Sequence, residues 1–502
     1  MKTTFIASGD SFITRRIPND GYEGFDELKC LIEAHDVRFA NLESTFHDQE
    51  GAPAATSGGT WAMSDPVLLD DMNRYGFNLF NTANNHSGDF GQGGIVATIK
   101  HLKERGMIFA GTGMTLQEAS GAAYLETKHA RVAMIGITST LDPAAAAGGQ
   151  GFTMKGRPGL NPLRFRTVHH VNQKHFDMAK ELSDITEINA RTFNLISRGY
   201  RLPFPEGTLP LGSMNFVLTD GPERNETAPN KKDLKRTLDE IAEARRQADI
   251  VIVSVHHHEM RGGDTMKSPE FIETFSKACI DAGASVVIGH GPHQLRGIEC
   301  WKGGVIFYSL GNFIFQAETV ARQPYDAFDG KNLPQEMSVG AYMDFRSKNG
   351  TKGDVVNPEI WRAVLPSWTI EDGKLTEVKL YPIDLGQKNP RPHRGSPKLS
   401  QSVETLEHLK QLSADLGTTI EIENGVGKLL YFCRHGSREH DGLPFFRQIL
   451  HNLHDIIEET HIEHAVGFVK NEIGNTGKIY ISQTQMSYQT SRSSYNNIGS
   501  QH

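Results

Sequence analysis

The chain has 502 residues, of which 38% are hydrophobic and 22% are charged, and its net charge is −8. Most of it can therefore bury a core, whereas an acidic chain argues against broad binding to nucleic acid or anionic membranes, which requires basic surface. A length prior of roughly 150 residues per domain allows about three domains, and a single large α/β domain with insertions fits as well.

The cysteines and the N-terminal residues indicate the cellular compartment of the protein. The four cysteines lie far apart and form no CxxC motif, which is typical of reduced thiols in a cytosolic protein. The N-terminal apolar run is short and predicts a first strand rather than a signal peptide. No apolar stretch approaches the roughly 18 residues of a membrane-spanning helix. We therefore expect a cytoplasmic protein without a membrane anchor.

The first 145 residues alternate short apolar runs with helical patterns. Strands are predicted at 3–8, 37–42, 77–82 and 132–138, and a helix is predicted at 95–105. Strands that alternate with helices indicate a layered α/β fold. Polar residues follow each of the first three strands, and α/β sheets build their sites where such carboxyl ends meet.

Residues 157–230 break this rhythm, because they are rich in Arg, Asn and Pro and carry a helical pattern at 174–197. We interpret them as a helical insertion outside the core sheet and a candidate lid. The α/β pattern then resumes, with strands predicted at 250–255, 285–288 and 305–310 and a helix at 269–282. Alternating segments near 341–346, 360–371 and 375–386 predict a second set of strands.

The last part of the chain differs in composition. Residues 389–396 predict a loop and 403–416 a helix. From about residue 429 the chain is His-rich, and it ends in a Ser/Gln/Asn-rich tail whose composition is typical of disorder. We predict one domain at 1–428 and a poorly defined extension at 429–502 that supplies no metal ligand.

The polar residues at the strand ends have the chemistry of a binuclear metal site. Such a site takes oxygen and imidazole ligands from several strand ends, and two ions about 3.5–4 Å apart can activate one water. Asparagine amide oxygens also suit Mn, Fe or Zn. The candidates, which all lie at predicted strand ends, are Asp10, Asn41, Glu43, Asn84 to His86, His256 to His258, His290 and His293.

Each motif has a simpler interpretation when it is taken alone. Gly-Asp and Asn-Asn pairs are common turns, and a lone Glu43 is usually a solvated loop residue. The two histidines after His256 could be surface residues or could only support a ligand. His256 itself ends a strongly apolar strand, and His290 and His293 lie three apart in a Gly/Pro loop that lets both imidazoles converge. The order and placement of all the motifs together favour the metal site.

A resemblance to a known family is carried by the motifs GD, NLES, NTANNHSGDFG, VSVHHHE, VVIGHGPHQLRGIE and FYSLGNFIF. In this order they resemble the CapA family of capsule biosynthesis, which is associated with poly-γ-glutamate and belongs to the calcineurin-like metallophosphoesterase superfamily. The resemblance covers about residues 3–320 without the insertion, and a family-like close near 418–429. It implies a four-layer α/β/β/α sandwich that binds divalent metal, one or two ions of Mn, Fe or Zn.

The resemblance also implies roles for individual residues. It places the metal ligands at Asp10, Glu43, Asn85, His256, His290 and His293. Asp10 and His293 would bind the first ion, Glu43 would bridge, and the other three would bind the second. His86 would donate a proton to the leaving group or hold the oxyanion. The superfamily usually begins with Asp-x-His, but this chain has Phe12 at the third position, so one ligand of the first ion is missing.

Two classes of function follow from these expectations. The first is a soluble hydrolase that cleaves an amide, ester or phosphoester bond of a small-molecule or γ-glutamyl-type substrate, since similar electrostatics serve acyl and phosphoryl centres. The second is a non-catalytic accessory protein of polyglutamate synthesis that keeps the fold. Phe12 supports the accessory role, and His86 argues against it. We expect the hydrolase, with no nucleic acid as a partner, and leave the oligomeric state open.

Overall fold

The computed structural model describes residues 1–422 and one strand at 477–480. Its strands, in chain order, are β1 (Lys2–Phe12), β2 (Val37–Leu42), β3 (Thr45–Phe46), β4 (Met63–Ser64), β5 (Leu79–Asn81), β6 (Phe109–Ala110), β7 (Thr112–Gly113), β8 (Ala123–Glu126), β9 (Arg131–Thr138), β10 (Gly159–Leu160), β11 (Phe165–Val171), β12 (Thr208–Leu211), β13 (Met214–Leu218), β14 (Arg224–Pro229), β15 (Ile250–His256), β16 (Val286–His290), β17 (Leu295–Trp301), β18 (Gly304–Leu310), β19 (Asn312–Phe315), β20 (Arg362–Glu371), β21 (Lys374–Asp384), β22 (Lys398–Leu399), β23 (Thr419–Ile422) and β24 (Gly477–Tyr480).

The helices lie between these strands. In chain order they are α1 (Phe25–Glu33), α2 (Leu68–Arg74), α3 (Gly91–Glu104), α4 (Leu116–Ser120), α5 (Gln173–Thr186), α6 (Ala190–Ser197), α7 (Lys231–Gln247), α8 (Glu270–Asp281), α9 (Tyr325–Asp329), α10 (Val339–Ser347) and α11 (Val403–Ala414). Short 3₁₀ turns lie at Pro143–Ala145, Ala317–Thr319, Gly353–Val356 and Pro358–Trp361.

Two large sheets contain most of the strands. The first has the order β23-β24-β21-β20-β1-β2-β5-β6, with β19 also paired to β1 and β22 to β21. The second has the order β17-β18-β16-β15-β9-β8. Strands β1, β2, β5 and β6 run parallel to one another, and so do β9, β15, β16 and β18. The chain is therefore a mixed α/β protein, and within each sheet these parallel strands end at the same edge.

A buried apolar core joins the two sheets. Phe5 of β1 and Phe39 of β2 belong to the same buried cluster as Ile252 of β15 and Phe307 of β18. Trp368 of β20 stacks on Phe5 with 5.2 Å between ring centroids, and its ring lies 5.7 Å from that of Phe307. One large side chain thus packs on residues of both sheets, and burial of such a ring excludes water between them.

Helices pack against the opposite face of each sheet. Phe25 and Leu28 of α1 join a cluster with Ile6 of the first sheet. Phe275 of α8 joins another with Val251 of the second sheet. Central strands are therefore buried on both faces, which is why β15 is apolar at every position except Ser254 and His256 and does not alternate.

Several predicted elements are confirmed almost to the residue. Strands predicted at 37–42, 132–138, 250–255 and 305–310 agree with β2, β9, β15 and β18 to within one residue at either end. Strand β1 runs further than the prediction of 3–8, because β19 pairs with Asp10, Ser11 and Phe12. This long-range pairing places Asp10 inside the end of the strand, where its direction is fixed.

The prediction of a strand near 341–346 is wrong, because these residues lie in helix α10. The side chain of Ser338 accepts a hydrogen bond from the Ala341 N–H and so caps the helix. Tyr342 and Met343 are buried on one side of the helix. A capped helix end therefore outweighs a short alternation of apolar and polar residues, which is a weak signal by itself.

The insertion is not purely helical, which corrects the expectation for residues 157–230. Besides α5 and α6 it contains a separate four-stranded sheet in the order β12-β13-β11-β14. The residues of β11 are exposed or half-buried, so no apolar pattern marks the strand in the sequence. Phe165 of β11 stacks on Phe271 of α8 with 4.2 Å between ring centroids, and this contact attaches the insertion to the helices of the second sheet.

The predicted C-terminal extension lies outside the described residues, except for β24. This strand pairs with β21 and β23 in the first sheet. Strands β21 and β20 lie between it and β1, which carries Asp10. The domain boundary at 428 stays a prediction, as does the disorder of the tail.

Replacing Trp368 by alanine should destabilise the protein by about 3–5 kcal/mol, because it removes a buried ring that packs on both sheets and leaves a cavity. Urea unfolding measured by circular dichroism gives the change in the free energy of unfolding. The control is Phe345→Ala in α10, where the side chain is 51% exposed and a change within about 0.5 kcal/mol is expected. Equal losses in the two variants would contradict the placement of Trp368 between the sheets.

Candidate metal centre

The carboxyl ends of β1, β2, β15 and β16 bring together most of the site residues predicted from the sequence. Five of those residues come within reach of one another, and His258 joins them. Three groups have ligand atoms that all lie within 4.8 Å of one another, namely Asp10 with His256 and His290, Glu43 with His256 and His258, and Asp10 with Glu43 and His293. The shared members make one continuous cluster in which carboxylates face imidazoles.

Asp10 is completely buried and held by two hydrogen bonds. Its Oδ1 accepts from the Asn41 side-chain amide at 2.8 Å, and its Oδ2 accepts from the Gly291 backbone N–H at 2.9 Å. Asn41 in turn accepts a hydrogen bond from the Asn81 side-chain amide at 2.7 Å. Burial by itself raises the pKa of the Asp10 carboxyl, but the His293 ring, whose Nδ1 lies 3.5 Å from Oδ2, outweighs burial and holds the pKa below its usual value. Asp10 is therefore an oriented carboxylate.

Glu43 is equally buried, but neither of its carboxylate oxygens has a hydrogen-bond partner among the described residues. Its Oε1 lies 3.6 Å from His293 Nε2, 3.8 Å from His256 Nε2 and 4.0 Å from His258 Nε2. Burial, reinforced by the charge of Asp10, raises the pKa of Glu43 well above its usual value. A buried carboxylate without donors is costly, and a divalent cation held between it and the imidazoles would satisfy it.

His256 stands at the middle of the cluster. Its Nδ1 lies 2.9 Å from Nδ1 of His290, and its Nε2 lies 2.8 Å from Oδ1 of Asn85 and 3.1 Å from Nε2 of His258. Burial lowers the pKa of His290 to about 4 and that of His258 to about 3. Neutral imidazoles that turn ring nitrogens toward one another are suited to hold a metal ion, which takes the lone pairs.

The loop after β16 positions His293 at the other side of the cluster. Gly291 has φ +119°, and a Cβ there would lie 2.8 Å from the His257 carbonyl oxygen, so no other residue fits. His293 has φ +60°, a strained conformation for a non-glycine residue. Its Nδ1 lies 2.8 Å from Oδ1 of Asn312. Burial by itself lowers the pKa of His293, but Glu43 and Asp10 raise it to about 10.

His86 lies beside the cluster and belongs to none of the three groups. Its ring is buried, and its Nδ1 donates to Oδ2 of Asp89 at 2.7 Å. The Asp89 carboxylate is held in a fixed orientation, because it also accepts hydrogen bonds from the backbone N–H groups of Gly58 at 3.0 Å and Ala62 at 2.8 Å. Phe12 packs edge-on against the His86 ring with 5.2 Å between centroids. Asp89 was not among the residues predicted from the sequence, although its position three residues after His86 suits a turn.

His257 and His258 have different surroundings, although they are adjacent in the chain. Arg296, which is itself buried, donates to Nδ1 of His257 at 2.9 Å, and Nε2 of His257 donates to the Tyr308 carbonyl at 3.0 Å. His257 is therefore fully engaged outside the cluster, whereas His258 faces it. The apolar run before His256 does not distinguish them, which is why neither is among the ligands predicted from the sequence.

The fold and the cluster define a mixed α/β protein with a candidate divalent-metal centre at the strand ends. Residues 4–317 match the model of the bacterial capsule synthesis protein family PGA_cap. This chain belongs to that family, which confirms the resemblance in the motifs. In the part of the chain that the structure describes, no helix is long and apolar enough to cross a membrane.

Similar proteins extend this comparison. The Sinorhizobium fredii protein y4sH is 33% identical over 437 residues, which cover 84% of this chain and 92% of that protein. The capsule biosynthesis protein CapA of Bacillus anthracis is 28% identical over 50% of this chain and 48% of its own length. The PGA biosynthesis protein CapA of Bacillus subtilis is 24% identical over 62% of this chain and 63% of its own length.

Glu43→Gln tests whether the buried carboxylate is built for a cation. With a chelator present, the variant should be at least as stable as the wild-type protein at neutral pH, because a buried charge without donors is removed. The raised pKa of Glu43 sets the sign of the pH effect, since any advantage of the variant over the wild-type protein shrinks as the pH falls and Glu43 takes up a proton.

The same variant should lose the rise in melting temperature that added Zn²⁺ or Mn²⁺ gives the wild-type protein. Differential scanning fluorimetry with chelator and with each metal measures both effects. The exposed substitution Glu126→Gln is the control and should change neither. A large loss of stability in the chelated Glu43→Gln protein would mean that the carboxylate is a structural group rather than a ligand.

Proposed function

We propose that this protein is a metal-dependent hydrolase of the PGA_cap family. The observation that carries the proposal is the buried, donor-free carboxylate of Glu43 among three imidazoles, with the His86–Asp89 pair beside it. The proposed ligand set is Asp10, Glu43, Asn85, His256, His290 and His293, for one or two ions of Mn, Fe or Zn. Asn85 supports this set through its Oδ1, which lies 2.8 Å from His256 Nε2.

We propose that the architecture around this centre is the four-layer α/β/β/α sandwich of metallophosphoesterases. It would form one domain over 1–428, with 157–230 as an insertion. Support comes from the cluster that both sheets share and from the helices packed on each outer face. In this arrangement the two sheets meet at their carboxyl ends, where both contribute ligands.

The bound metal would polarise the scissile group and activate a water. The protein's own residues would do the rest. The Asp89 carboxylate keeps the proton of His86 on Nδ1 and fixes the ring, so Nε2 is the nitrogen available to substrate. With a second proton on Nε2, His86 would donate that proton to the leaving group or hold the developing oxyanion with it, while Nδ1 stays bonded to Asp89. Phe12 closes one edge of His86 with an apolar ring, which limits the access of water.

The substrate class follows from chemistry and from the relatives. Because similar electrostatics stabilise acyl and phosphoryl transfer, the proposed bond is an amide, ester or phosphoester. Two relatives are named for capsule and PGA biosynthesis, which favours a γ-glutamyl-type substrate. The second candidate function is a non-catalytic accessory protein of polyglutamate synthesis. Phe12 favours it, because this buried residue stands where the superfamily has an imidazole ligand.

A substrate panel separates these functions. The full chain is freed of metal, loaded with Mn²⁺, Fe²⁺ or Zn²⁺, and assayed with a γ-glutamyl anilide, a nitrophenyl ester and a nitrophenyl phosphodiester. The hydrolase predicts turnover of one class that requires metal and disappears in His256→Ala. Tight metal binding without turnover of any member would support the accessory role instead.

His86→Ala should lower kcat by roughly 10²–10⁴-fold while metal content stays at the wild-type level, because it removes the general acid and leaves every proposed ligand in place. Steady-state kinetics and elemental analysis of the same preparations measure the two effects. His129→Ala, an exposed histidine, is the matched control and should change neither. Full turnover by His86→Ala on the identified substrate would end the catalytic role of His86 and leave the metal centre standing.

A further inference from the structure

Three other potential donor atoms lie close to one ring nitrogen of His256. Its Nε2 lies 2.8 Å from Asn85 Oδ1, 3.1 Å from His258 Nε2 and 3.8 Å from Glu43 Oε1. The opposite ring nitrogen, Nδ1, lies 2.9 Å from His290 Nδ1. Because an imidazole binds one ion through one nitrogen, the atoms around Nε2 form a group of their own, separate from the pair at Nδ1.

The fold holds His258 at this point. Its backbone N–H donates to Oγ1 of Thr140 at 2.8 Å, and Thr140 in turn donates to Glu259 at 3.0 Å. The His258 ring packs at a steep angle to that of His293, with 5.2 Å between centroids. The side chain is 29% exposed, and its ring contact is the 3.1 Å approach to His256 Nε2 within the cluster, whereas His257 is buried with two hydrogen bonds outside the cluster. Structural packing alone therefore does not account for its direction.

We propose that His258 is a metal ligand, and that it completes a four-donor set with Glu43, Asn85 and His256. Two imidazole nitrogens, a carboxylate and an amide oxygen suit a borderline divalent ion such as Zn²⁺. The proposal rests on the proposed metal centre, and it adds one imidazole to the ligands of that centre. The chain has Phe12 where the superfamily has an imidazole, and His258 restores the number of imidazoles from the other sheet.

Zinc titration of the metal-free full chain, in competition with a chromophoric chelator, tests this assignment. His258→Ala should weaken one Zn²⁺ site by more than the roughly 10–100-fold that loss of an outer-shell partner costs. His258→Asp, which retains a ligand oxygen, should recover part of the affinity. The matched control is Glu259→Gln, which loosens the same loop without removing a donor and should stay within a few-fold of the wild-type protein.

Cobalt spectra give a readout that does not depend on activity. In the Co²⁺-loaded protein, the visible ligand-field bands of His258→Ala and His258→Asp should shift in position and intensity, whereas those of Glu259→Gln should not. If His258→Ala fails to fold, the His258→Asp variant takes its place in the test. Unchanged bands and unchanged affinity in that variant would overturn the proposal. Unchanged affinity and bands in a folded His258→Ala protein would also overturn it and leave the hydrolase standing. Absence of Zn²⁺ and Co²⁺ binding by the wild-type chain would end both.

Discussion

Two carboxylates buried in the same small space are the constraint on which the rest of the site depends. Removing a charge from water costs several kcal/mol unless it is paired and hydrogen-bonded. Asp10 accepts hydrogen bonds from Asn41 and Gly291, whereas Glu43 has no hydrogen-bond donor among the described residues and lies close to the imidazoles of His256, His258 and His293. The cluster therefore calls for positive charge at its centre, and in the proposed metal centre a divalent cation would supply that charge.

Each sheet contributes a different kind of donor atom to this centre. Oxygen donors come from the first sheet, with Asp10 in β1, Glu43 after β2 and Asn85 after β5. Imidazoles come from the second sheet, with His256 in β15 and His290 in β16. The distances between the oxygen and nitrogen donors are therefore set by how the two sheets pack. The buried core between the sheets consequently fixes the geometry of the site.

The surroundings of His86 differ from those of the proposed metal ligands. Asp89 fixes one ring nitrogen, and Phe12 occupies the space where a further imidazole would be expected. An apolar ring at that point shields His86 from water while leaving Asp10 and Glu43 to the other histidines. If His258 is a ligand as proposed, its imidazole on the second sheet would offset the apolar ring of Phe12 on the first.

The sequence by itself determined the central strands and the residue types at their ends, because buried strands are continuous apolar runs and polar residues that interrupt them need a reason. Tertiary structure decided the rest. Strand β15 ends at His256, so strand alternation does not fix the directions of the next two residues. The contacts with Arg296 and Tyr308 show that His257 turns away, and the contact with His256 shows that His258 turns in. Likewise β1 reaches Asp10 because distant β19 pairs with it, and the insertion forms strands that no apolar pattern announces.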